Sequence, residues 1–498
     1  MKLADILPWE EIEEEYAKNF SSRKGAPGKS ARLALAALII KEMLSLSDED
    51  TVEAITETPA MQYFAGLEKF VQEPPFDPSS MVHFRKRFPA DFVDQINQKL
   101  IKQAKASSSK ESAKDDKNTK GPSSSVEKEE KTDPENSARE SEGKETIHQG
   151  KLILDATCAP ADICFPTDLG LLNKAREKSE KIIDVLYKNS GKTKKKPRSY
   201  RKIARKRYLN IAKRKKPGSS LIRKGCGQQL RYLRRNLKHI EILASEVSLG
   251  SLGKRLYKDL LVIHEVFRQQ QVMFDENSRS IAYRIVSISQ PHVRPIVRGK
   301  AKASVEFGAK LSASVCDKGF VTLDRLNWEA FNESTDLEFQ IEKYRERMGH
   351  YPKAVLADKI YRTRANRKWC KELGIRLSGP GLGRPSKSED LQKEVRQQNR
   401  QDECERNAIE GKFGQAKRRF GLAKIMGKLK GTSESMIAVS FLVMNLVKLL
   451  ELLFFALVWI FSLLFAPHSR KQSHLSCQQS NSGRYRPTML NTFATASC

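Results

Sequence analysis

Residues 104 to 149, AKASSSKESAKDDKNTKGPSSSVEKEEKTDPENSARESEGKETIHQG, hold almost no apolar side chain and mix both signs of charge along their whole length. Such a stretch cannot bury enough surface to offset the entropy of ordering its backbone, so it reads as a disordered linker. The chain of 498 residues is therefore expected to fold as separate parts, one over 1–103 and a longer one from 150 onward. Both are long enough for a core of their own.

The first part reads as helical. SARLALAALIIKEMLSLSDEDTVEAITETPAMQYFAGL repeats apolar residues at three and four spacing, and Ser47-Asp48-Glu49-Asp50 makes a capping signal between two helices. FDPSSMVHFRKRF and a last helix through Phe92 and Ile96 follow. Two readings stand for this domain: an all-α packing unit, or a DNA-binding unit with His83, Arg85, Lys86 and Arg87 near phosphates.

The second part, 150–448, opens with the apolar run KLILDATCAP, a buried strand ending in acid and turn signals. From about 187 to 285 the pattern becomes helical and basic, as an insertion rather than part of a sheet. Between Lys192 and Lys216 every charged residue is Lys or Arg, interleaved with Tyr200 and Tyr208. Strand character returns with YRIVSISQ and with KASVEFGAKLSASVCDKGFVTLDRLNW, where Asp317-Lys318-Gly319 makes a hairpin turn. A helix at EFQIEKYRERMG, a strand at PKAVLADKIY, a helix at TRANRKWCKELG, a short strand at IRLSG and a final long helix complete the order. GPGLGRP is not a nucleotide-binding fingerprint, since its glycines do not join a strand to a helix in a βαβ unit.

Net charge of +30 calls for a polyanionic partner, nucleic acid before anionic lipid. The eight cysteines are scattered, without C-x-x-C or paired spacing near histidine, so neither a zinc site nor a disulfide framework is indicated and a reducing cytosol fits. MKLADILPWEEIEEEY is acidic and lacks the apolar core of a signal peptide. Near the other end, 449–466 reads as an apolar terminal helix and 467–498 as a disordered tail. Its uncharged core, LLFFALVWIFSLLFA, is shorter than the roughly 18 to 20 residues that span a bilayer, so a buried or dimer-forming helix is expected ahead of a membrane segment.

Three acids carry the chemistry. Asp155 and Asp358 each close an apolar strand run, and Glu410 sits in RNAIEGKFGQAKRRFGL. On a helix of about 100° per residue, Arg406, Glu410 and Lys417 fall within about 40° of one another, so one acid is flanked by two cations on a single stripe. Strand-Asp, strand-Asp, helix-Glu is how a ribonuclease H-like core gathers carboxylates around divalent metal. The expected fold is therefore α/β: a ribonuclease H-like mixed sheet flanked by helices, with a helical N-terminal domain and a helical basic insertion. Three carboxylates suit two Mg²⁺ or Mn²⁺ ions, with Asp155 bridging both and Asp358 and Glu410 taking one each. Arg406 and Lys417 would hold a phosphate or a DNA end in line. Lys412, Arg418 and Arg419 lie farther round the helix, as solvated charges or weak phosphate contacts.

These segments also resemble a family, the insertion-sequence transposases of the DDE class. The resemblance runs through SLSDEDTVEAITETPAMQYFAGL, SSMVHFRKRF, LILDATCAPADICFPTDLGLLNKA, ADKIYRTRANR and RNAIEGKFGQAKRRFGLAKIMGKLKGTSESMIAVSFLVMNLVKLL. Arg406, Glu410 and Lys417 take the spacing of that family's Y-R-E-K signature, while Glu403 stands where its tyrosine belongs. The resemblance implies metal-dependent cleavage at the ends of a mobile element and transfer of the freed 3′-OH to target DNA. It also implies a homodimer or higher synaptic oligomer, the basic arm on DNA ends or on the partner subunit, and a bacterial cytoplasmic, nucleoid-associated setting. A plain nuclease on the same core, or an inactive or domesticated DNA-binding protein, are the alternatives.

Overall fold

The computed structural model describes residues 2–20, 28–115, 148–191, 195–297, 305–381, 383 and 388–464. Helices α1 (Lys2–Ile6), α2 (Trp9–Ala17), α3 (Ala31–Leu44), α4 (Asp48–Glu57), α5 (Pro59–Phe64), α6 (Ser80–Arg87) and α7 (Ala90–Asp115) form the first region. Its axis is α3, whose residues from Leu33 to Ile40 are all buried. A helix that is apolar all round has to be surrounded, and α2, α4 and α6 do this. Ser30 starts α3 by accepting from the Leu33 N–H at 3.2 Å. The capping box of α4 is present, with Ser47 Oγ accepting from Asp50 N–H at 3.0 Å and the Asp50 carboxylate accepting from Ser47 N–H at 3.3 Å.

Two details of this region differ from the sequence reading. Arg85 is buried in an ion pair with Asp48, and Arg87 lies 4.3 Å from the centroid of the Phe20 ring, so both hold the helices together; His83 and Lys86 are exposed. Helix α7 runs on to Asp115, past the boundary expected at 103, and the rest of the expected linker, 116–147, lies outside the described residues.

The second region starts with β1 (Lys151–Pro160) and continues through α8 (Asp168–Asn189), α9 (Arg201–Ala212), α10 (Ser219–Ala244) and α11 (Lys254–Asp275). Next come β2 (Arg294–Val297), β3 (Val305–Val315), β4 (Val321–Asn327), α12 (Leu337–Met348), β5 (Ala354–Ala357), α13 (Arg364–Glu372), β6 (Arg376–Leu377), α14 (Glu389–Arg419) and α15 (Lys430–Leu464). The helical insertion begins at α8, ahead of residue 187. The apolar face of α8, including Leu172, Ile182, Ile183 and Leu186, packs on Leu233, Leu237 and Ile240 of α10 and Ile263 and Val266 of α11.

YRIVSISQ is not a strand. Ile285 and Ile288 join the insertion's apolar core, while the Gln269 side chain accepts from the Ile285 N–H at 2.9 Å and donates to the Tyr283 carbonyl at 3.2 Å. One amide side chain thus does for this backbone what a neighbouring strand would.

The sheet is mixed, in the order β2-β3-β1-β5-β6, with β4 also on β3. β3 runs antiparallel to β1, β2 and β4, whereas β5 is parallel to both β1 and β6. Residues 317–319 turn the chain from β3 to β4, with Lys318 at φ 66° and Gly319 at φ 78°. One face of β1 and β5, through Leu152, Leu154, Val355 and Ala357, packs on Leu337, Ile341 and Tyr344 of α12. α14 lies across β1, β3 and β5.

β3 crosses β1 closely at Gly308, where a Cβ would stand 2.0 Å from the Ala159 carbonyl oxygen. Gly308→Ala is expected to destabilise the protein by about 2 kcal/mol or more, because backbone rather than a movable side chain meets the new methyl. Denaturant titration checks this; an unchanged midpoint would show that the two strands separate freely there.

The apolar segment expected to begin at 449 continues a helix that starts at Lys430, since nothing after Gly431 interrupts it. Within the compact unit that extends to Leu450, residues 436–446 of α15 are buried. Asn445 accepts from the Val321 N–H at 2.9 Å and donates to the Val321 carbonyl at 2.7 Å and to Asn97 Oδ1 at 2.8 Å, joining α15 to β4 and α7. α15 includes the one helix stretch among the described residues long and apolar enough to cross a bilayer. That test is also passed by core helices, and burial of 436–446 is what a core helix shows.

Candidate active site

Two of the three expected acids meet because of strand register. The parallel pairing of β1 with β5 ends at Leu154 opposite Ala357, so Asp155 and Asp358 each stand one residue beyond the last pair. Asp358 turns its side chain to the N–H of Lys359 at 2.7 Å and so caps the short turn Lys359–Tyr361. Asp155 accepts from the Ala156 N–H at 2.8 Å.

Burial pushes the Asp155 carboxyl up to about 6, partly offset by the Ala156 N–H. Glu333 and Asp358 raise it further through their charges, and Arg406 lowers it. A carboxyl so desolvated and crowded by like charge is held in reserve for a cation or a proton.

Helix α14 is set in rotation by three anchors. Asp402, buried, is paired with Arg376 on β6; Glu405 meets Lys151 of β1 at 2.7 Å; and Ile409, Phe413 and Ala416 are buried. This turns Arg406 inward toward Asp155, with its side chain 18% exposed, and leaves Glu410 56% exposed in an ion pair with Arg406 at 3.2 Å. Lys412 and Lys417 are partly buried, and Arg418 and Glu403 are exposed. Asp155, Asp358 and Arg406 are thus brought together, while Glu410 joins them through Arg406. Among the described residues no three His, Cys, Asp or Glu side chains gather closely enough to enclose a metal ion.

The acid that sequence reading missed is Glu333. It opens the short turn Glu333–Asp336 before α12 and pairs with Lys310 of β3 at 2.8 Å. The turn is locked to that of Asp358 by Asn366, whose Nδ2 donates to both the Ser334 and Tyr361 carbonyls at 2.8 Å. Tyr361 has a buried hydroxyl with no hydrogen-bond partner, and burial first, then Glu333 and Asp155, raises its pKa. Asn332, whose side chain accepts from the Ser334 N–H at 3.1 Å, marks a helix start that the sequence does display; nearness to Asp155 is tertiary and leaves no local trace.

Glu333→Gln is expected to lower the Asp155 pKa from about 6, because the largest neighbouring negative charge is gone. Carboxyl NMR titration of Asp155 reads this directly. An unmoved titration would mean that Glu333 does not act on Asp155.

The comparisons with known proteins divide along the same lines. A family described as "Transposase DDE domain" matches residues 355–447, which include Asp358, Arg406, Glu410 and Lys417 but not Asp155. A second, described as "Transposase domain (DUF772)", matches residues 1–87. Among curated proteins, the "Uncharacterized protein ORF8 in nfe locus" of Rhizobium meliloti is 33% identical over 96 residues, 19% of this chain and 46% of that protein. The chain thus spans less than half the length of this relative. No solved structure matches the chain.

Proposed function

The chain belongs to the insertion-sequence DDE transposases, and from that premise we propose that it cuts the ends of its own element and joins the freed 3′-OH to target DNA. The observation that carries this reading is the placement of Asp155 and Asp358 side by side at the ends of parallel β1 and β5, with the Asp155 carboxyl pushed up to about 6. The order β4-β3-β1-β5-β6, antiparallel for the first three strands and parallel for the last three, supports a ribonuclease H-like core.

The two aspartates fit a divalent cation. They are hard oxygen donors, and Asp155, its pKa raised first by burial and then by the charges of Glu333 and Asp358, gains from a cation that replaces lost solvation. Asp155, Asp358 and Glu410 are assigned as the residues that would hold two Mg²⁺ or Mn²⁺ ions, and Glu410 would have to exchange its pair with Arg406 to take part. Bound there, the metal would supply an activated oxygen nucleophile and neutralise charge on the phosphate.

The chain's own residues orient the substrate. Arg406, fixed by the anchors of α14, points a guanidinium toward the acids and suits a bidentate grip on the scissile phosphate. Lys417, Lys412 and Arg418 extend the cationic side of the same helix, for the DNA end. Exposed Glu403 lies among the charges around Arg362, so this copy presents an acid where the family signature places a tyrosine that holds DNA. The working form is assigned as a homodimer or larger assembly that brings two element ends together in the cytoplasm.

A marked element supplied with this protein in cells tests the reading. Movement of the marker with the intact chain, lost in Asp358→Ala and Glu410→Ala, is the expected result. No movement, with tight binding of the ends retained, would favour an inactive DNA-binding protein. Cutting without joining would favour a plain nuclease.

A further inference from the structure

We infer that one face of α9 is a docking strip for the sugar-phosphate backbone of duplex DNA, separate from the acid site. Lys202, Arg205, Lys206, Leu209, Asn210 and Lys213 line one surface, at the three and four spacing of a single helix stripe. From Lys202 to Lys213 the stripe is about 16 Å long. Lys202, Arg205, Lys206 and Lys213 are exposed, and none of the four has an ion-pair partner among the described residues. The nearby acid, Asp184, is already taken by Lys196 at 2.7 Å and Arg201 at 2.8 Å.

Left alone, this helix is poorly made. It contains no acid, begins at Tyr200 with φ 52° and no side-chain cap, and carries Arg201 and Lys202 at its positive end. Like charges three and four apart and cations at a helix N-terminus both oppose folding. The opposite face holds it to the insertion: Ala204 and Ile211 are buried, and Gln229 Nε2 donates to the Ala204 carbonyl at 3.2 Å. Arg207, away from the stripe, donates to Tyr232 Oη at 2.9 Å and ties the helix further to α10.

A polyanion of regular spacing would balance the stripe. Duplex DNA offers a phosphate about every 3.4 Å of axis per strand, enough to meet all four cations over this length. An anionic membrane fits less well, since a membrane-lying helix needs a continuous apolar face toward the lipid, and Leu209 stands alone among the cations of this stripe while Ala204 and Ile211 face the protein. With four side chains that reach phosphate rather than base edges, the strip grips DNA without reading its sequence.

The inference rests on DNA being the partner, and its test separates the two. Binding of an arbitrary labelled duplex by the full chain is measured between 50 and 400 mM salt, for the parent and for a variant with Lys202, Arg205, Lys206 and Lys213 all changed to Gln. The slope of log K against log salt is expected to become shallower by about 2 to 4, the loss of up to four counterions. A control changes Lys18, Arg268, Lys368 and Lys393 to Gln, each already paired with a carboxylate, and is expected to leave the slope nearly as it was. If the quadruple variant melts below the parent, the double change Lys202→Gln with Lys206→Gln replaces it, with a slope change of about 1 to 2. An unchanged slope in the variant, from a parent that binds steeply, overturns the strip alone. A parent with no salt-dependent duplex binding overturns the DNA reading and the strip with it. A parent that binds phosphatidylserine vesicles through these four residues more tightly than duplex also overturns the strip.

Discussion

Replacing Asp155 by asparagine is expected to stabilise the folded protein near pH 7 while lowering DNA cutting by about three orders of magnitude or more. The first effect follows from the carboxyl's pKa, raised from 3.8 to about 6. A carboxyl that holds its proton more tightly when folded makes the folded state bind more protons than the unfolded one over that interval. Stability is then lost as pH rises from about 4 to about 6, reaching about 2 to 3 kcal/mol at neutral pH. Asparagine carries no such charge, so the variant's stability should fall less than the parent's over this interval. Denaturant titrations of both proteins in chelator between about pH 4 and pH 8 give the comparison. Parallel curves would show that Asp155 is not held in an unfavourable charged state.

A second large effect is expected at Asp324 on β4, whose side chain is 0% exposed. It faces Arg347 of α12, 5% exposed, at 3.2 Å. Gln340 donates to the same carboxylate at 2.9 Å and Thr322 at 3.2 Å. Asp324→Ala leaves a buried guanidinium without its partner and is expected to destabilise the protein by about 3 to 5 kcal/mol, a large share of a typical domain's stability. Changing both residues, Asp324→Leu with Arg347→Met, should return much of that loss, because two apolar groups need no partner. A single variant as stable as the parent would mean that water enters to solvate Arg347.

Much of this was legible in the sequence where the cause is local. The capping box at Ser47, the turn at Asp317-Lys318-Gly319 and the strands leading into Asp155 and Asp358 each depend on residues within a few positions. What escaped depends on distant partners. YRIVSISQ has the composition of a strand, but the Gln269 side chain on α11 satisfies backbone groups at Tyr283 and Ile285. Arg85 and Arg87 look like phosphate ligands until Asp48, Phe20 and Tyr16 are folded against them. The stripe of Arg406, Glu410 and Lys417 was correctly placed on one helix, yet only the anchors at Asp402 and Glu405 decide that Arg406 turns inward while Glu410 remains outward. Glu333 gave no sign at all, because its approach to Asp155 is made by two turns that Asn366 ties together.

The central claim is that this chain cuts and joins DNA with divalent metal held by Asp155, Asp358 and Glu410. Its most direct test is a labelled duplex carrying the element's own end, incubated with purified full-length protein and target DNA, with Mg²⁺, with Mn²⁺ and with chelator. The account predicts nicking at the end followed by joined products with either metal, nothing in chelator, and nothing from Asp155→Asn. Joined products that persist in chelator, or in the Asp155→Asn protein, would contradict it.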